Sequence, residues 1–377
     1  MRVELTPEQR QHQAEFRAFV DEEIIPYADR FDRQESIPPS LIAALAQRGY
    51  LGANVPEELG GLNLDMITCG VLSEEIGRGC SSVRSLLTVH GMVAGTIAKW
   101  GTKEQKQYWL PRLADGTTVA GFALTEPNAG SDAKSITSTA VECGNSYVLE
   151  GEKKWITFGQ RADLFLIFAR CEAGPTAFLL ERNTPGLSVE PINDLLGVRA
   201  SMTATLRLNG CRIPKENLVG KVGVGISYLA AAALDYGRYS VACGCVGIAQ
   251  ACLDASLKYT SERKQFGACL KDYQLIQRML TDMITNVKAA RLLTYHAGYL
   301  KDTGDPRAIM ETSVAKYFAS TTANKAAHDA VQIHGANGCS RDYPVERYMR
   351  DAKIMEIIEG STQLQQISIA RYAYGFQ

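Results

Sequence analysis

Asp163-Leu-Phe-Leu-Ile-Phe-Ala169 and, one turn later, Thr176-Ala-Phe-Leu-Leu180 are apolar, aromatic-rich runs of strand length. Ser146-Tyr-Val-Leu149 precedes them and Met202-Thr-Ala-Thr-Leu-Arg-Leu208 follows. The runs are divided by Gly, Asn and Pro, with turn signals at Pro185-Gly186 and Asn209-Gly210 that recur too often for helices of any length. From about Thr117 to Val219 the chain is therefore expected to be a small β-domain. On either side the period lengthens to that of a helix. Thr6-Pro7-Glu8 reads as an N-cap with Pro at the first helical position, and helical spacing continues to about Arg112. Beyond Gly225, Ile276, Met279, Leu280, Met283, Ile284, Val287 and Ala290 share one helix face, which stops at Gly304-Asp305-Pro306. A second long helix should end near Gly335, a third should span Pro344 to Glu356, and a last one should run from Ser361 to Tyr374 after a break at Glu359-Gly360. The expected class is α+β, with a helical part (residues 1–115), a β-domain (116–222) and a second helical part (223–377).

Composition narrows the function. The chain has 377 residues, 46% of them apolar, which is enough for a large core. Its 40 basic and 41 acidic residues leave no field to gather phosphate backbones, so a dedicated nucleic-acid binder is not expected. Ten cysteines are scattered without a CxxC pair, which speaks against structural zinc or a disulfide framework and for small buried hydrophobes. No apolar leader opens the sequence, and runs such as Tyr228 to Leu234 fall short of a membrane span; a cytoplasmic chain is expected.

Several segments carry chemistry as well as a plain structural reading. Phe122-Ala-Leu-Thr-Glu-Pro-Asn-Ala-Gly-Ser-Asp132 offers hydroxyls (Thr125, Ser131) and backbone N–H groups to the edge of a flat polar ligand, or is an ordinary loop. Lys154-Trp155-Ile-Thr157 places a stacking ring beside a hydroxyl, or a core Trp in a strand. Arg263-Lys-Gln-Phe266-Gly267 interrupts two helices, with Gln274 one turn into the next, and could pair a phosphate or simply turn the chain. Gln332-Ile-His-Gly335-Ala-Asn-Gly338 permits close backbone approach, or caps a helix. A G-x-G-x-x-G fingerprint is missing at Gly223-Val-Gly225, which disfavours a nicotinamide Rossmann enzyme. In Ile357-Ile-Glu359-Gly360-Ser361-Thr362-Gln363, a carboxylate among apolar residues would have its pKa raised toward that of a useful general base, or would offset a helix dipole. Thr362 and Gln365 are placed to form a capping box.

In order, TEPxAGSD, KxWIT, RxxFG, QIxGxxG and YPVER-x-x-RDAK-x-x-x-I-x-EG-[ST]-x-Q resemble the flavin-dependent acyl-CoA dehydrogenase family over essentially the whole chain. The resemblance implies a helical domain, a middle β-barrel or sandwich and a C-terminal four-helix bundle. It implies FAD as cofactor, with Phe122, Leu124, Thr125, Ser131, Trp155, Thr157, Ser361 and Gln363 near its ring and ribityl chain. Arg263, Phe266, Gln274, Gln332 and Gly335 would hold its nucleotide end across a subunit interface, so a homo-oligomer, by family habit a dimer of dimers, is expected. Where the family usually has two glycines, this chain has Gly335-Ala336.

The implied reaction is α,β-desaturation of an acyl thioester, with Glu359 taking the α-proton and the β-hydrogen leaving as hydride to flavin N5. Some members carry the base at the position of Gly237, which leaves Glu359 to serve here. Ser131, Asp235, Arg238, Gly360 and Arg371 match positions lining the substrate side. Electrons would pass to an electron-transfer flavoprotein or similar acceptor; no metal is implied. Alternatives are an acyl-carrier-protein-linked dehydrogenase of a polyketide extender-unit pathway, and a degenerate flavin-binding subunit, which the presence of Glu359 argues against. Finally, Arg84-Ser85, within Cys80 to His90, resembles the glutaryl-CoA dehydrogenase segment that binds a distal substrate carboxylate. An internal salt bridge to Glu74 or Glu75, or an Arg that snorkels to solvent, would explain the same residue.

Overall fold

The computed structural model describes residues 4–375. Six helices come first: α1 (Pro7–Glu23), α2 (Ala28–Gln34), α3 (Pro39–Gln47), α4 (Met66–Gly79), α5 (Ser81–Trp100) and α6 (Lys103–Ala114). Thr6 caps α1 as its sequence suggests: its hydroxyl accepts from Gln9 N–H, and the Gln9 side chain answers to Thr6 N–H, with Pro7 at the first turn. Thr102 and Gln105 repeat the device on α6.

The β-domain holds β1 (Ala120–Ala123), β2 (Thr139–Cys143), β3 (Ser146–Ile156), β4 (Leu164–Cys171), β5 (Gly174–Glu181), β6 (Leu187–Pro191), β7 (Ala204–Pro214) and β8 (Leu218–Val219). Their order is β6-β7-β3-β2-β4-β5-β8, with β1 parallel to β4 at the side facing the N-terminal helices. Leu164 to Ala169 is buried throughout because β4 is covered on both faces, which is why its sequence does not alternate. Asn209-Gly210 is not a hairpin turn. It lies inside the eleven-residue β7, where the register against β3 shifts beside Leu149 and Glu150, and Gly210 takes φ 68° to make the bulge.

After a π-helical turn at Gly225–Ala230 come α7 (Ala231–Glu262), a small hairpin of β9 (Lys264–Gln265) and β10 (Ala268–Cys269), α8 (Gln274–Asp302), α9 (Ala308–His334), α10 (Val345–Met355) and α11 (Thr362–Ala373). Leu280, Met283, Val287 and Ala290 enter the core of this bundle as expected, whereas Ile284 stays exposed at the edge of the stripe. The run from Gly225 to Glu262 is apolar and long enough to cross a membrane, longer than the short runs of the sequence suggest. It is instead the central helix of the bundle, with 78% of its apolar window buried. Seven of the ten cysteines are buried and all ten are free.

Small residues set how closely the helices approach. A Cβ on Gly77 of α4 would lie 2.8 Å from the Cα of Gly244 on α7, so the two backbones touch without side chains between them. Close contact of α4, α5 and α7 brings Arg84 of α5 and Gly237 of α7 to the loop between α10 and α11. Opposite, the loop after β6 reaches the same place: Val198 N–H donates to the buried Asp351 of α10 at 2.6 Å, and Arg350 grips Asp32 of α2. Arg350 also binds the carbonyl of Leu196. All three parts of the chain therefore meet around the segment that carries Glu359.

Candidate active site

The loop following β1 is built on a buried ion pair. Glu126, 4% exposed, accepts from Thr137 N–H (2.6 Å), Thr137 Oγ1 (2.8 Å), Ser138 N–H (3.0 Å) and Lys153 Nζ (2.7 Å). Lys153, wholly buried on β3, also donates to the carbonyl of Leu124 at 3.1 Å. Burial works against the Glu126 carboxylate, but the ammonium and the hydrogen bonds outweigh it and hold the group down to about 2. With Thr125 O accepting from Lys154 N–H (2.9 Å), the loop and the end of β3 become one rigid rim. Of the residues singled out from the sequence here, Phe122 and Leu124 are buried, Thr125 and Thr157 are half-buried and Ser131 is exposed. Trp155 is left-handed (φ 64°) and 51% exposed, with the Lys154 ammonium 5.0 Å from its ring. It is an open aromatic face, not a core tryptophan.

Glu359 lies in the turn between α10 and α11. Both it (φ 53°) and Gly360 (φ 84°) are left-handed, a conformation that costs a non-glycine residue of order 1 kcal/mol or more and persists because neighbours hold it. Arg238 Nε donates to Glu359 O (3.3 Å), Gln365 Nε2 to Glu359 O (3.2 Å) and Gly360 O (3.1 Å), and Lys316 Nζ to Gly360 O (2.8 Å). The expected capping box is absent. Ser361 caps α11 by accepting from Leu364 N–H, and Gln365 is turned back to bind the two carbonyls instead.

The carboxylate itself is left without partners. Glu359 Oε2 is buried and has no hydrogen-bond partner among the described residues. It packs against Gly237, where a Cβ would come within 2.7 Å of the carboxyl carbon. Desolvation raises Glu359 to about 7, partly opposed by the positive charges of Arg238, Arg84 and Lys316. The backbone N–H of Glu359 likewise meets no acceptor among the described residues.

Arg84 is 1% exposed and does not snorkel, and neither glutamate expected as an internal partner is available. Glu74 is taken by Arg291 (2.7 Å), and Glu75 by Arg17 (2.8 Å) and Arg78 (2.8 Å). Among the described residues Arg84 donates only to Thr88 Oγ1 (2.8 Å) and to the sulfur of Met355 (3.4 Å), and its Nε is buried without a partner. Ser85 spends its proton on Ser82 O at 2.7 Å.

Asp235 pairs with Lys301 through one oxygen while the other stays buried and unpaired. Arg371 is exposed on the last turn of α11, and Gln363 is exposed beside the half-buried Ser361. Arg263, Phe266, Gln274, Gln332 and Gly335 are exposed and are not gathered around Glu359. Tyr259 stacks on His334 at 4.1 Å and joins the ends of α7 and α9, so Arg263 and Gly335 share one end of the bundle. Phe266 is 97% exposed at φ 50° on the tip between β9 and β10, and a Cβ on Gly335 would meet nothing within 4 Å.

A carboxylate with one buried, unpaired oxygen and a pKa raised to about 7 by desolvation can accept a proton, and the exposed Trp155 ring can stack on a flat group. Sequence models of the acyl-CoA dehydrogenase N-terminal, middle and C-terminal domains match residues 6–117, 121–211 and 223–374, and the chain belongs to the acyl-CoA dehydrogenase family, whose members are FAD-dependent. It is 42% identical over 360 residues to the mitochondrial short-chain specific acyl-CoA dehydrogenase of Rattus norvegicus, covering 94% of this chain and 87% of that protein. A chain in the structure described as an electron transferring flavoprotein of Acidaminococcus fermentans superposes with a TM-score of 0.96 at 39% identity, covering 99% of both chains. The glutaryl-CoA complex of a glutaryl-coenzyme A dehydrogenase also gives 0.96, at 37% identity and covering 100% of this chain and 98% of that one.

Proposed function

We propose that Glu359 is the general base for α,β-dehydrogenation of an acyl-CoA and that Arg84 selects acyl groups ending in a carboxylate. The observation that carries the reading is the pair of orphaned buried groups, Glu359 Oε2 and Arg84 Nε, which face one another where α5, α7 and the 359–360 turn meet. A buried guanidinium with no carboxylate hydrogen-bonded to it costs several kcal/mol, roughly, and a substrate carboxylate would relieve it. Burial already pushes the Arg84 guanidinium down, and the charge of Glu359 only partly offsets this.

Oε2 of Glu359 takes the α-proton, and the Glu359 N–H is free to donate to the thioester oxygen as negative charge develops there. FAD supplies the acceptor for the β-hydride. The exposed rings of Trp155 and Phe266 and the open Gly335 suit a long, partly flat cofactor. Phe122, Leu124, Thr125, Ser131, Thr157, Ser361 and Gln363 would flank the ring end with Trp155. The nucleotide end would fall to Arg263, Phe266, Gln274, Gln332 and Gly335 of a second copy, in a dimer of dimers divided internally near residues 115 and 222. Ser131, Asp235, Arg238, Gly360 and Arg371 would line the thioester side. An electron-transfer flavoprotein as acceptor and a cytoplasmic location belong to the same reading.

The test is anaerobic bleaching of the yellow holoenzyme by thioesters of equal length, with and without a terminal carboxylate, linked to CoA or to a carrier protein. The carboxylated acyl groups should reduce the flavin faster. Preference for plain fatty acyl groups would refute the role of Arg84 and leave the base untouched.

A further inference from the structure

Lys316, in the middle of α9, is wholly buried and has no carboxylate within ion-pair distance among the described residues. Its side chain makes one hydrogen bond among the described residues, to Gly360 O at 2.8 Å. A lysine in the core without a counter-ion is costly, and a neutral donor would cap one carbonyl as well. Its position explains the cost. The ammonium sits directly behind the strained 359–360 turn, and the titratable groups that face it are Cys245 and Arg238 of α7, Glu356 at the end of α10, and Glu359 itself; the Cys245 thiol, pushed up to about 12 by burial, carries no charge. Glu356 is already engaged by Lys353 and Asn324. Arg84 of α5 completes the set that faces Glu359.

We propose that Lys316 is a positioning residue for the base: it fixes the turn through Gly360 O and supplies an unneutralised positive charge against which Glu359 ionises. The proposal rests on Glu359 being the base. Gln365 shares the mechanical part, since it binds the same carbonyl and that of Glu359. What Lys316 adds beyond Gln365 is charge, alongside that of Arg238 and Arg84. Consistent with an ammonium kept behind the site at a cost, burial lowers Lys316 to about 8, with the Glu359 carboxylate opposing.

The experiment compares Lys316→Gln, which keeps a donor for Gly360 but no charge, with Lys316→Met, which keeps neither, as FAD-loaded enzymes. Two readouts are taken across pH: the anaerobic rate of flavin reduction at saturating thioester, and the carboxyl band of Glu359 by infrared difference titration. A unit charge at this range should move a carboxyl by about one pH unit. Both variants should therefore show the acid limb and the carboxyl titration raised by about one unit, roughly a tenfold slower reduction below the limb, with the rate recovering above it in Lys316→Gln. Unmoved limbs accompanied by lower thermal stability would overturn the proposal and make Lys316 a structural contact only. In Glu359→Gln the limb should vanish; if it persists there, the base assignment is refuted and the role of Lys316 falls with it.

Discussion

Gly237→Ala should separate stability from catalysis. Gly237 is buried inside α7, so alanine is favoured for the helix itself by roughly 1 kcal/mol. Its methyl carbon would stand 2.7 Å from the carboxyl carbon of Glu359 and 3.0 Å from the sulfur of Met92. Ordinary contact begins at 3.4 Å and the carboxylate oxygen Oε2 would stand closer still than the carbon, so the carboxyl must retreat by about 1 Å. The end of a glutamate side chain can do this cheaply, and the fold should survive with an unchanged or slightly higher Tm. The base cannot do it without leaving its position, and a displacement approaching 1 Å costs on the order of 10²-fold in rate. The assay is stopped-flow flavin reduction by thioester without oxygen, with FAD content and Tm measured on the same preparation. A roughly 10- to 100-fold slower reduction at full FAD occupancy is expected. A variant that reduces at the parental rate would show that the carboxylate does not work from its place against α7.

Arg84→Met should abolish any preference for carboxylated acyl groups and, by removing an orphaned charge, leave thermal stability equal or higher; a steep loss of Tm would mark Arg84 as structural. Lys153→Met leaves the Glu126 carboxylate buried and unpaired, so stability should fall by about 3–5 kcal/mol in thermal or denaturant unfolding and FAD should be released more easily. Arg263→Ala should weaken FAD retention and subunit association together, read by sedimentation at matched FAD occupancy, and a stable monomer that keeps its flavin would contradict it.

The sequence made the succession of helix, sheet and helix legible because each part has its own period, whereas Glu359 stood out as the expected base only through the family motifs, its own surroundings fitting a carboxylate that offsets a helix dipole as well. Residues that act through partners far along the chain were not legible. Glu126 and Lys153 are ordinary charges until β1 and β3 bring them together, 27 residues apart, although a lysine among the inward positions of β3 was a signal that could have been read. Lys316 looks like the polar face of a helix, and only the approach of the 359–360 turn, 44 residues later, gives it a task. Glu74 and Glu75 were reasonable local partners for Arg84, but Arg291 and Arg17, from α8 and α1, claim them first. Asn209-Gly210 has the chemistry of a tight turn, yet pairing with β3 along its whole length turns it into a bulge. The misplaced cap at Thr362 is a shift of one residue, and it hid Gln365, whose amide holds the base loop.

The central claim is tested most directly by Glu359→Gln, which keeps the shape of the side chain and removes the basic oxygen. Because burial raises the carboxyl to about 7, the group is protonated below that pH and able to accept a proton above it. Flavin reduction by the parent should therefore climb as pH rises through about 7. The Gln variant should bind FAD normally, lose at least about 10²- to 10⁴-fold in anaerobic reduction rate and show no such climb. Reduction by Glu359→Gln at near the parental rate, with the pH profile intact, would contradict the account.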